Sequence, residues 1–166
     1  MKDTSLYFAY GSNINLDQMD VRCPKAVPLC TVELDGYELR FRGNSRDTGV
    51  ANIEPKQGGK VYGLLWEITP ECEKSLDRYE GYPFLYGKKQ VNITLPGGQK
   101  IPVMAYVMQE ERHLKPAMPS YPYYNGIREG FRENGIPLFS LEQALHREHA
   151  QVEKHQKKLK HKNNER

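Results

Sequence analysis

Between residues 30 and 108 the sequence alternates short β-forming runs with glycine-containing turns, and this pattern constrains the fold most. Two such runs joined by a few turn residues predict an antiparallel hairpin, because a parallel pair needs a much longer crossover. We therefore expect an α+β protein with a small, strongly curved, mostly antiparallel sheet flanked by helices, and the short turns would allow this sheet to close into a β-barrel. The predicted hairpins are Cys30–Leu34 with Tyr37–Arg42 across Asp35-Gly36, Val50–Glu54 with Lys60–Ile68 across Gly58-Gly59, and Lys88–Leu95 with Ile101–Met108 across Pro96-Gly97-Gly98.

One helix between these strands has a clear start and end. Thr69 is a suitable N-cap, Pro70 suits the first helical position, and Gly81 is expected to end the helix in a left-handed conformation. Its inner face is predicted to carry Cys72, Leu76 and Tyr79. The other predicted elements are a strand at Leu6–Tyr10, a short helix with Asn15 and Gln18 as a capping pair, a helix ending at Asn134-Gly135, and a polar helix over residues 140–160.

The net charge of +3 lies entirely in the C-terminal segment. Residues 142–166 contain seven Lys/Arg and four Asp/Glu, whereas the preceding chain carries 17 of each sign. We divide the chain into a domain over residues 1–141 and a basic, polar helix or tail over residues 142–166. A neutral body lacks the basic face that nucleic acid requires, so no nucleic-acid partner is expected. A homodimer stays open, because Leu145, Val152 and Leu159 recur at heptad spacing while Glu148 and His155 interrupt the seam.

The cysteine and histidine residues indicate neither disulfides nor a metal site. The three cysteines are Cys23, Cys30 and Cys72, and their odd number and wide spacing favour reduced thiols. His113 is isolated, and the four tail histidines (His146, His149, His155 and His161) form no metal-binding i, i+4 pair. The sequence has neither a spanning apolar run nor a secretion signal, so we expect a cytoplasmic protein without a membrane partner.

The first candidate site is the segment Tyr7–Asn13, a strand that runs into a glycine turn and then a helix. Successive backbone N–H groups in such a turn form an anion site that suits a carboxylate. The spacing matches neither a dinucleotide fingerprint nor a P-loop. The alternative is a structural turn in which Asn13 or Asn15 caps the following helix.

The second candidate is Glu80, which directly precedes the helix-ending Gly81. A carboxylate at the negative end of a helix is unfavourable by about 0.3–1 kcal/mol, so stability alone would not select it. Aromatic neighbours at positions 79, 82 and 84 can desolvate the carboxyl and raise its pKa, as acid/base chemistry near neutral pH requires. The alternative is a solvated surface glutamate.

The third candidate is the tyrosine-rich stretch Tyr121–Tyr124, expected in a loop before the later helix. Tyrosines in such a loop can line a pocket, but they also serve as lids over a core.

Together these segments resemble the γ-glutamyl cyclotransferase family over about residues 6–138. The resemblance rests on motifs that occur in family order: Tyr7–Asn13, Gly49–Ile53, Val61–Trp66, Leu76-Asp77 with Glu80-Gly81, and Tyr123 followed by Glu133–Pro137. It implies a small antiparallel barrel and an enzyme that releases 5-oxoproline and a free amine from a γ-glutamyl compound. In this reaction the α-amine of the substrate attacks its own side-chain carbonyl.

The resemblance also implies the roles of individual residues. Glu80 would be the catalytic general acid/base, and Tyr123 would close on the substrate. The γ-glutamyl group would be held by Tyr7, Phe8, Ala9, Tyr10, Gly11, Ser12 and Asn13. No metal and no organic cofactor is implied, and the expected partner is a small-molecule γ-glutamyl substrate.

The identity of the released amine stays open. Residues 44–48, 82–86 and 109–119 are expected to shape the acceptor side, and Asn13 argues against the glutathione-specific branch. γ-Glutamyl dipeptides, polyamines and biosynthetic intermediates all remain candidates. Two other functions are alternatives: a non-catalytic γ-glutamyl or carboxylate binding module with the same fold, and a protein that binds nucleic acid or an acidic partner through its basic tail.

Overall fold

The computed structural model describes residues 3–44, 46, 48–112 and 115–165. Five strands form a closed barrel in the order β1-β3-β2-β4-β5, and a single parallel pair, Tyr7 with Met104, joins β5 to β1. The predicted α+β barrel is therefore confirmed. The elements are β1 Ser5–Ala9, α1 Leu16–Arg22, β2 Val27–Gly43, β3 Gly49–Ile68, α2 Pro70–Glu80, β4 Tyr86–Thr94, β5 Lys100–Met108, α3 Tyr121–Glu133 and α4 Leu138–Asn164, with 3-10 turns at Ser12–Ile14 and Glu110–Arg112.

Two of the three predicted hairpins are wrong. β2 and β3 form one long antiparallel ribbon, in which Asp35 pairs with Lys60 and Tyr37 pairs with Pro55. The Asp35-Gly36 and Gly58-Gly59 pairs therefore lie at a bulge within the ribbon and not at chain reversals. Gly36 and Gly58 have φ of 81° and 75°, a conformation that serves a bulge as well as a tight turn.

The third predicted hairpin is confirmed. β4 and β5 pair in register from Tyr86 with Met108 to Thr94 with Lys100. The reversal of the β2–β3 ribbon lies instead at residues 44–48, where positions 45 and 47 are outside the described residues.

The local signals of α2 predict its ends correctly. The Thr69 side chain accepts a hydrogen bond from the Cys72 N–H, and Gly81 ends the helix at φ 66°. Cys72 and Leu76 are buried as expected, but Tyr79 is 44% exposed and does not lie in the core. Glu80 is the last helical residue, as predicted.

Helix α3 fixes the turn that follows β1. A Cβ on Gly130 would lie 2.7 Å from the Asn15 nitrogen, so only glycine allows this close approach of the two backbones. The Asn15 amide donates to the Gly126 carbonyl at 2.9 Å, and the Asn134 amide donates to the Ile14 carbonyl at 3.0 Å. The turn at residues 12–14 is therefore held from outside the barrel.

Helix α3 also begins earlier than predicted. Ser120 caps it, and Pro122 occupies its first turn, so the stretch expected to be a loop is already helical. Tyr121 is exposed, whereas Tyr123 packs against the core from the first turn. A proline in the first turn is compatible with a helix, which explains the wrong boundary.

Helix α4 crosses the predicted domain boundary at residue 141. It is continuous from Leu138 to Asn164, and both Ala144 and Glu148 are buried. The Glu148 carboxylate accepts two hydrogen bonds from the Arg40 guanidinium of β2, at 2.8 and 3.3 Å. The first half of α4 therefore packs on the barrel. Whether the remainder is an independent tail stays a prediction. No helix among the described residues is long and apolar enough to cross a membrane.

Candidate active site

A cavity of about 230 Å³ lies beside the end of β1, where the turn at residues 12–14 meets α2 and α3. Seven of the nine predicted site residues line it: Tyr7, Tyr10, Gly11, Ser12, Asn13, Glu80 and Tyr123. Elements distant in sequence supply the other walls: Asn44, Val50, Ala51, Tyr79, Leu85, Tyr86 and Tyr106. For comparison, an apolar cavity of about 150 Å³ accommodates benzene, so this cavity is large enough for a small five-membered ring.

Phe8 and Ala9, which the sequence predicts to hold the substrate, do not line the cavity. Successive strand residues point to opposite faces, so Phe8 faces away from Tyr7 and its ring packs over Gly63. Ala9 is almost completely buried and pairs with Leu64 of β3. Both residues anchor β1 in the barrel.

Glu80 is the only ionisable carboxyl group in the cavity wall among the described residues. It is half-buried, and its Oε1 accepts a hydrogen bond from the Asn13 side-chain amide at 3.2 Å. Burial raises the pKa of Glu80 to about 7, against the opposing effects of the Arg22 charge and the Asn13 amide. A carboxyl with this pKa can both accept and return a proton near neutral pH.

Asn13 connects Glu80 to the rest of the site. Its side-chain nitrogen also donates to the Tyr7 hydroxyl at 2.9 Å, and its side-chain oxygen accepts from the Arg22 guanidinium at 2.7 Å. Its backbone carbonyl accepts from the Trp66 indole N–H at 3.0 Å. These four contacts fix the side chain and backbone of Asn13 together.

Tyrosine hydroxyls on the far wall are tied to the barrel backbone. The Tyr10 hydroxyl donates to the Tyr106 carbonyl, and the Tyr86 hydroxyl donates to the Ala51 carbonyl, each at 2.5 Å. Burial raises the pKa of both Tyr10 and Tyr86, so they remain neutral. This wall therefore carries no charge.

Two other tyrosines keep a proton to donate. The Tyr7 hydroxyl accepts from Asn13, and the Tyr123 hydroxyl accepts from the Ala51 N–H at 2.9 Å. Each hydroxyl acts as an acceptor in these bonds, and the described residues provide no acceptor for its own proton. Burial raises the pKa of both groups, so each proton stays on its oxygen. These hydroxyls can therefore donate to a bound molecule.

The turn at residues 12–14 supplies further donors. The N–H groups of Ile14 and Asn15 are used inside the turn, bonding to the carbonyls of Gly11 and Ser12. The N–H groups of Ser12 and Asn13 have no hydrogen-bond acceptor within the described part of the chain. Free N–H groups at the start of a helical turn suit a carboxylate or a developing oxyanion.

Sequence reasoning missed several of these residues. Arg22 carries no spacing signal, because its role depends on where α1 ends relative to α2. Val50, Ala51 and Tyr106 lie within strands and reach the cavity only through barrel closure. Asn44, Leu85 and Tyr86 were expected on the acceptor side and do line the cavity, whereas positions 45, 47, 113 and 114 lie outside the described residues.

The described residues contain no cluster of three or more His, Cys, Asp or Glu that could hold a metal ion.

Comparisons with known proteins agree on one family. A family model described as γ-glutamyl cyclotransferase, AIG2-like, matches residues 7–125. The γ-glutamylcyclotransferase of Homo sapiens is 32% identical over 145 residues, covering 82% of this chain and 75% of the human protein. That of Mus musculus is 32% identical over 142 residues, covering 81% and 74%.

A solved structure described as a γ-glutamyl cyclotransferase has a TM-score of 0.76 at 30% identity and covers 86% of both chains. A glutathione-specific yeast γ-glutamyl cyclotransferase has a TM-score of 0.61 at 14% identity, which shows a common fold alone. These findings support an enzyme of the γ-glutamylcyclotransferase type, as the sequence predicted. The chain belongs to the γ-glutamyl cyclotransferase, AIG2-like family.

Proposed function

We propose that this protein releases 5-oxoproline and a free amine from a γ-glutamyl compound, with Glu80 as the general acid/base. The observation that carries the proposal is the position of Glu80: a half-buried carboxyl with a pKa near 7, beside neutral donors in a cavity of suitable size. The reaction needs a group that takes a proton from an amine and later returns one.

The pKa of Glu80 decides whether the first proton transfer is feasible. An α-amine has a pKa of about 8, so transfer to an ordinary glutamate near 4.3 is uphill by about 5 kcal/mol. Transfer to Glu80, whose pKa is about 7, is uphill by only about 1.4 kcal/mol. The environment of Glu80 therefore removes most of this part of the barrier.

The bonds and protons of the proposed reaction balance without water. The deprotonated α-amine attacks the γ-carbonyl carbon and forms the C–N bond of the five-membered ring. The carbonyl oxygen gains negative charge, and we assign its stabilisation to the N–H groups of Ser12 and Asn13 and to the Tyr123 hydroxyl, since all three residues line the cavity. Glu80 then gives its proton to the departing nitrogen as the original amide C–N bond breaks and the carbonyl forms again. The ring nitrogen loses its second proton to Glu80 and becomes the neutral lactam N–H. The released amine takes up this proton and leaves as an ammonium ion.

Positioning is the second contribution of the cavity. The γ-glutamyl chain is flexible, and cyclisation requires its amine to lie near its own carbonyl carbon. Restraining such a chain can contribute about 7–11 kcal/mol to the rate. We assign this role to the lining residues Tyr7, Tyr10, Gly11, Ser12 and Asn13, with Tyr123 on the opposite wall. Phe8 and Ala9 act indirectly, by holding β1.

The finer features of the function are also proposals. We assign a γ-glutamyl amine or amino acid as substrate, and Asn13 disfavours strict specificity for glutathione. The three unpaired cysteines suit a reducing compartment, so we place the protein in the cytoplasm, which cell fractionation would test.

The deciding experiment measures 5-oxoproline release from a panel of γ-glutamyl dipeptides, γ-glutamyl polyamines and glutathione. We expect turnover of at least one compound, with Glu80→Gln as the matched inactive control. Glutathione as the only substrate would overturn the argument from Asn13. If γ-glutamyl compounds bind but no 5-oxoproline is released, the protein is a binding module and not an enzyme.

A further inference from the structure

We propose that Arg22 is a positioning residue for the reaction: it fixes the Asn13 side-chain amide so that its NH₂ group faces Glu80. This inference rests on the proposed function, because it assigns Arg22 a role in the same reaction. Arg22 itself does not line the cavity. Arg22 is the last residue of α1 and lies behind the turn at residues 12–14.

The orientation of the Asn13 amide depends on its partners. The oxygen and nitrogen ends of an amide have nearly the same shape, so the hydrogen bonds decide which end faces which neighbour. Arginine has only donors, and Arg22 contacts Asn13 at 2.7 Å, so the end facing Arg22 must be the oxygen. The nitrogen end is thereby directed at Tyr7 and Glu80.

This orientation favours one protonation state of Glu80. An NH₂ group donates to an ionised carboxylate, which is the form that accepts the substrate proton. If the amide turned over, its oxygen would face Glu80 and would accept a hydrogen bond from the protonated carboxyl. Arg22 therefore keeps Glu80 available as a base, and its removal would favour the acid form.

Arg22 is itself held in place by neutral groups. Its guanidinium donates to Gln18 at 2.9 Å and to Ser12 at 3.3 Å, and it stacks 3.6 Å above the centre of the Tyr79 ring. The Ser12 and Tyr79 hydroxyls are 3.0 Å apart, which closes the cluster. No carboxylate of the described residues lies within ion-pair distance of Arg22, so its charge is not neutralised by a direct partner.

The test follows the acidic limb of kcat/KM against pH in Arg22→Gln and Arg22→Lys variants. Removing a nearby positive charge and freeing the amide should move the limb of Arg22→Gln upward by about one pH unit. Arg22→Lys keeps a charge and a donor, so it should recover part of the shift. Arg78→Gln removes the same charge from the exposed last turn of α2 and should leave the limb in place.

A double-mutant cycle with Asn13→Ala tests whether Arg22 affects Glu80 through Asn13. If Arg22 acts through Asn13, the shifts of the two single variants will not add, because either change breaks the same connection. Full additivity would overturn the proposal, and so would an unchanged limb in a folded Arg22→Gln protein.

Direct titration of the Glu80 carboxyl by ¹³C NMR separates this inference from the proposed function. The Glu80 signal is assigned by its loss in Glu80→Gln, and its midpoint is compared between the parent protein and Arg22→Gln. An upward shift in Arg22→Gln supports the inference even if the parent releases no 5-oxoproline. An unchanged midpoint rejects it even if the parent is an active cyclotransferase.

Discussion

The protein contains two Arg–Asn–Glu clusters that use the same side chains differently. On the β2–β3 ribbon, Arg42 donates directly to both carboxylate oxygens of Glu54, at 2.8 and 2.7 Å, and Asn52 donates to one of them at 3.1 Å. Beside the cavity, Arg22 donates to Asn13 but not to Glu80, and of these two residues only Asn13 donates to Glu80.

The difference changes the chemistry of the two carboxyl groups. Burial alone would raise the pKa of Glu54, but Arg42 and Asn52 hold it below its ordinary value. At Glu80 the effect of burial prevails, and the pKa rises to about 7. An amide between the guanidinium and the carboxylate thus distinguishes Glu80, the proposed acid/base group, from the ion-paired Glu54.

The largest expected effect is a difference in turnover between variants of Glu80 and Glu54. Glu80→Gln keeps the shape of the side chain but cannot accept a proton, so turnover should fall about 10²–10⁴-fold. The matched Glu54→Gln variant should retain turnover once folded. Both are compared by steady-state release of 5-oxoproline. Equal turnover in a folded Glu80→Gln protein would falsify the assignment of Glu80.

The structural role of the ribbon charges is tested by shortening α4. A chain ending at Ala144 loses Glu148 and leaves Arg40 without its closest carboxylate, so it should be destabilised by about 2–4 kcal/mol. A chain ending at Val152 keeps that pair and should lose no more than about 0.5 kcal/mol. Chemical denaturation measures both. Equal stability of the two truncated chains would show that the Arg40–Glu148 pair contributes nothing.

The two glutamates should also give opposite dependences of stability on pH. Folding raises the pKa of Glu80, so the folded state is penalised above pH 7 and the penalty disappears as the pH falls toward 4.5. Glu80→Gln should therefore be more stable than the parent by about 1–3 kcal/mol at pH 8 and by little at pH 4.5.

For Glu54 the sign reverses, because folding lowers its pKa and the stabilisation is lost as the pH falls. Glu54→Gln should be less stable than the parent by about 1–3 kcal/mol at pH 8, with a smaller deficit in acid. Urea unfolding of both variants at a series of pH values tests the pair. If the free energy of unfolding changed with pH in the same way in both variants, the contrast between Glu80 and Glu54 would be contradicted.

A smaller effect is expected from a substitution at Gly11 that fills part of the cavity near Glu80. A Cβ on Gly11 would lie 3.1 Å from the Ala51 Cβ and 3.7 Å from the Tyr123 hydroxyl, and the φ of −121° needs no glycine. Gly11→Val should weaken 5-oxoproline binding about 10-fold, or about 1.4 kcal/mol. Gly97→Val, where a Cβ meets open space, is the control. Unchanged affinity by calorimetry in a folded Gly11→Val protein would remove this turn from the binding site.

Local signals predicted the start of α1 and both ends of α2 well, because a cap depends on neighbours in sequence. Thr69, Gly81 and Asn15 all cap as expected. The ribbon was missed because Asp35-Gly36 fits a turn and a bulge equally well, and only the distant pairing with β3 decides between them.

In the candidate site, too, residues within compact motifs were predicted, whereas residues that only folding brings together were not. Glu80 and the turn at residues 12–14 belong to compact motifs, and the structure brings them together in one cavity. Arg22 and Tyr106 could not be found from the sequence, because they reach the site only after α1, α2 and β5 have packed. The assignment of Phe8 and Ala9 treated a whole motif as ligand-binding, although strand geometry turns part of it away from the cavity.

Because the barrel joins its first strand to its last, the site is completed late in synthesis. The Tyr10–Tyr106 hydrogen bond spans 96 residues, and Tyr123 reaches Ala51 across 72. In a nascent chain that has not yet produced β5 and α3, we expect Glu80 to be exposed to water and to have the pKa of an ordinary glutamate. Ribosome-bound chains arrested before residue 100 should therefore release no 5-oxoproline, which a stalled-complex assay would check. The basicity that we propose for Glu80 would thus be acquired only when the barrel closes, well after Glu80 itself has been synthesised.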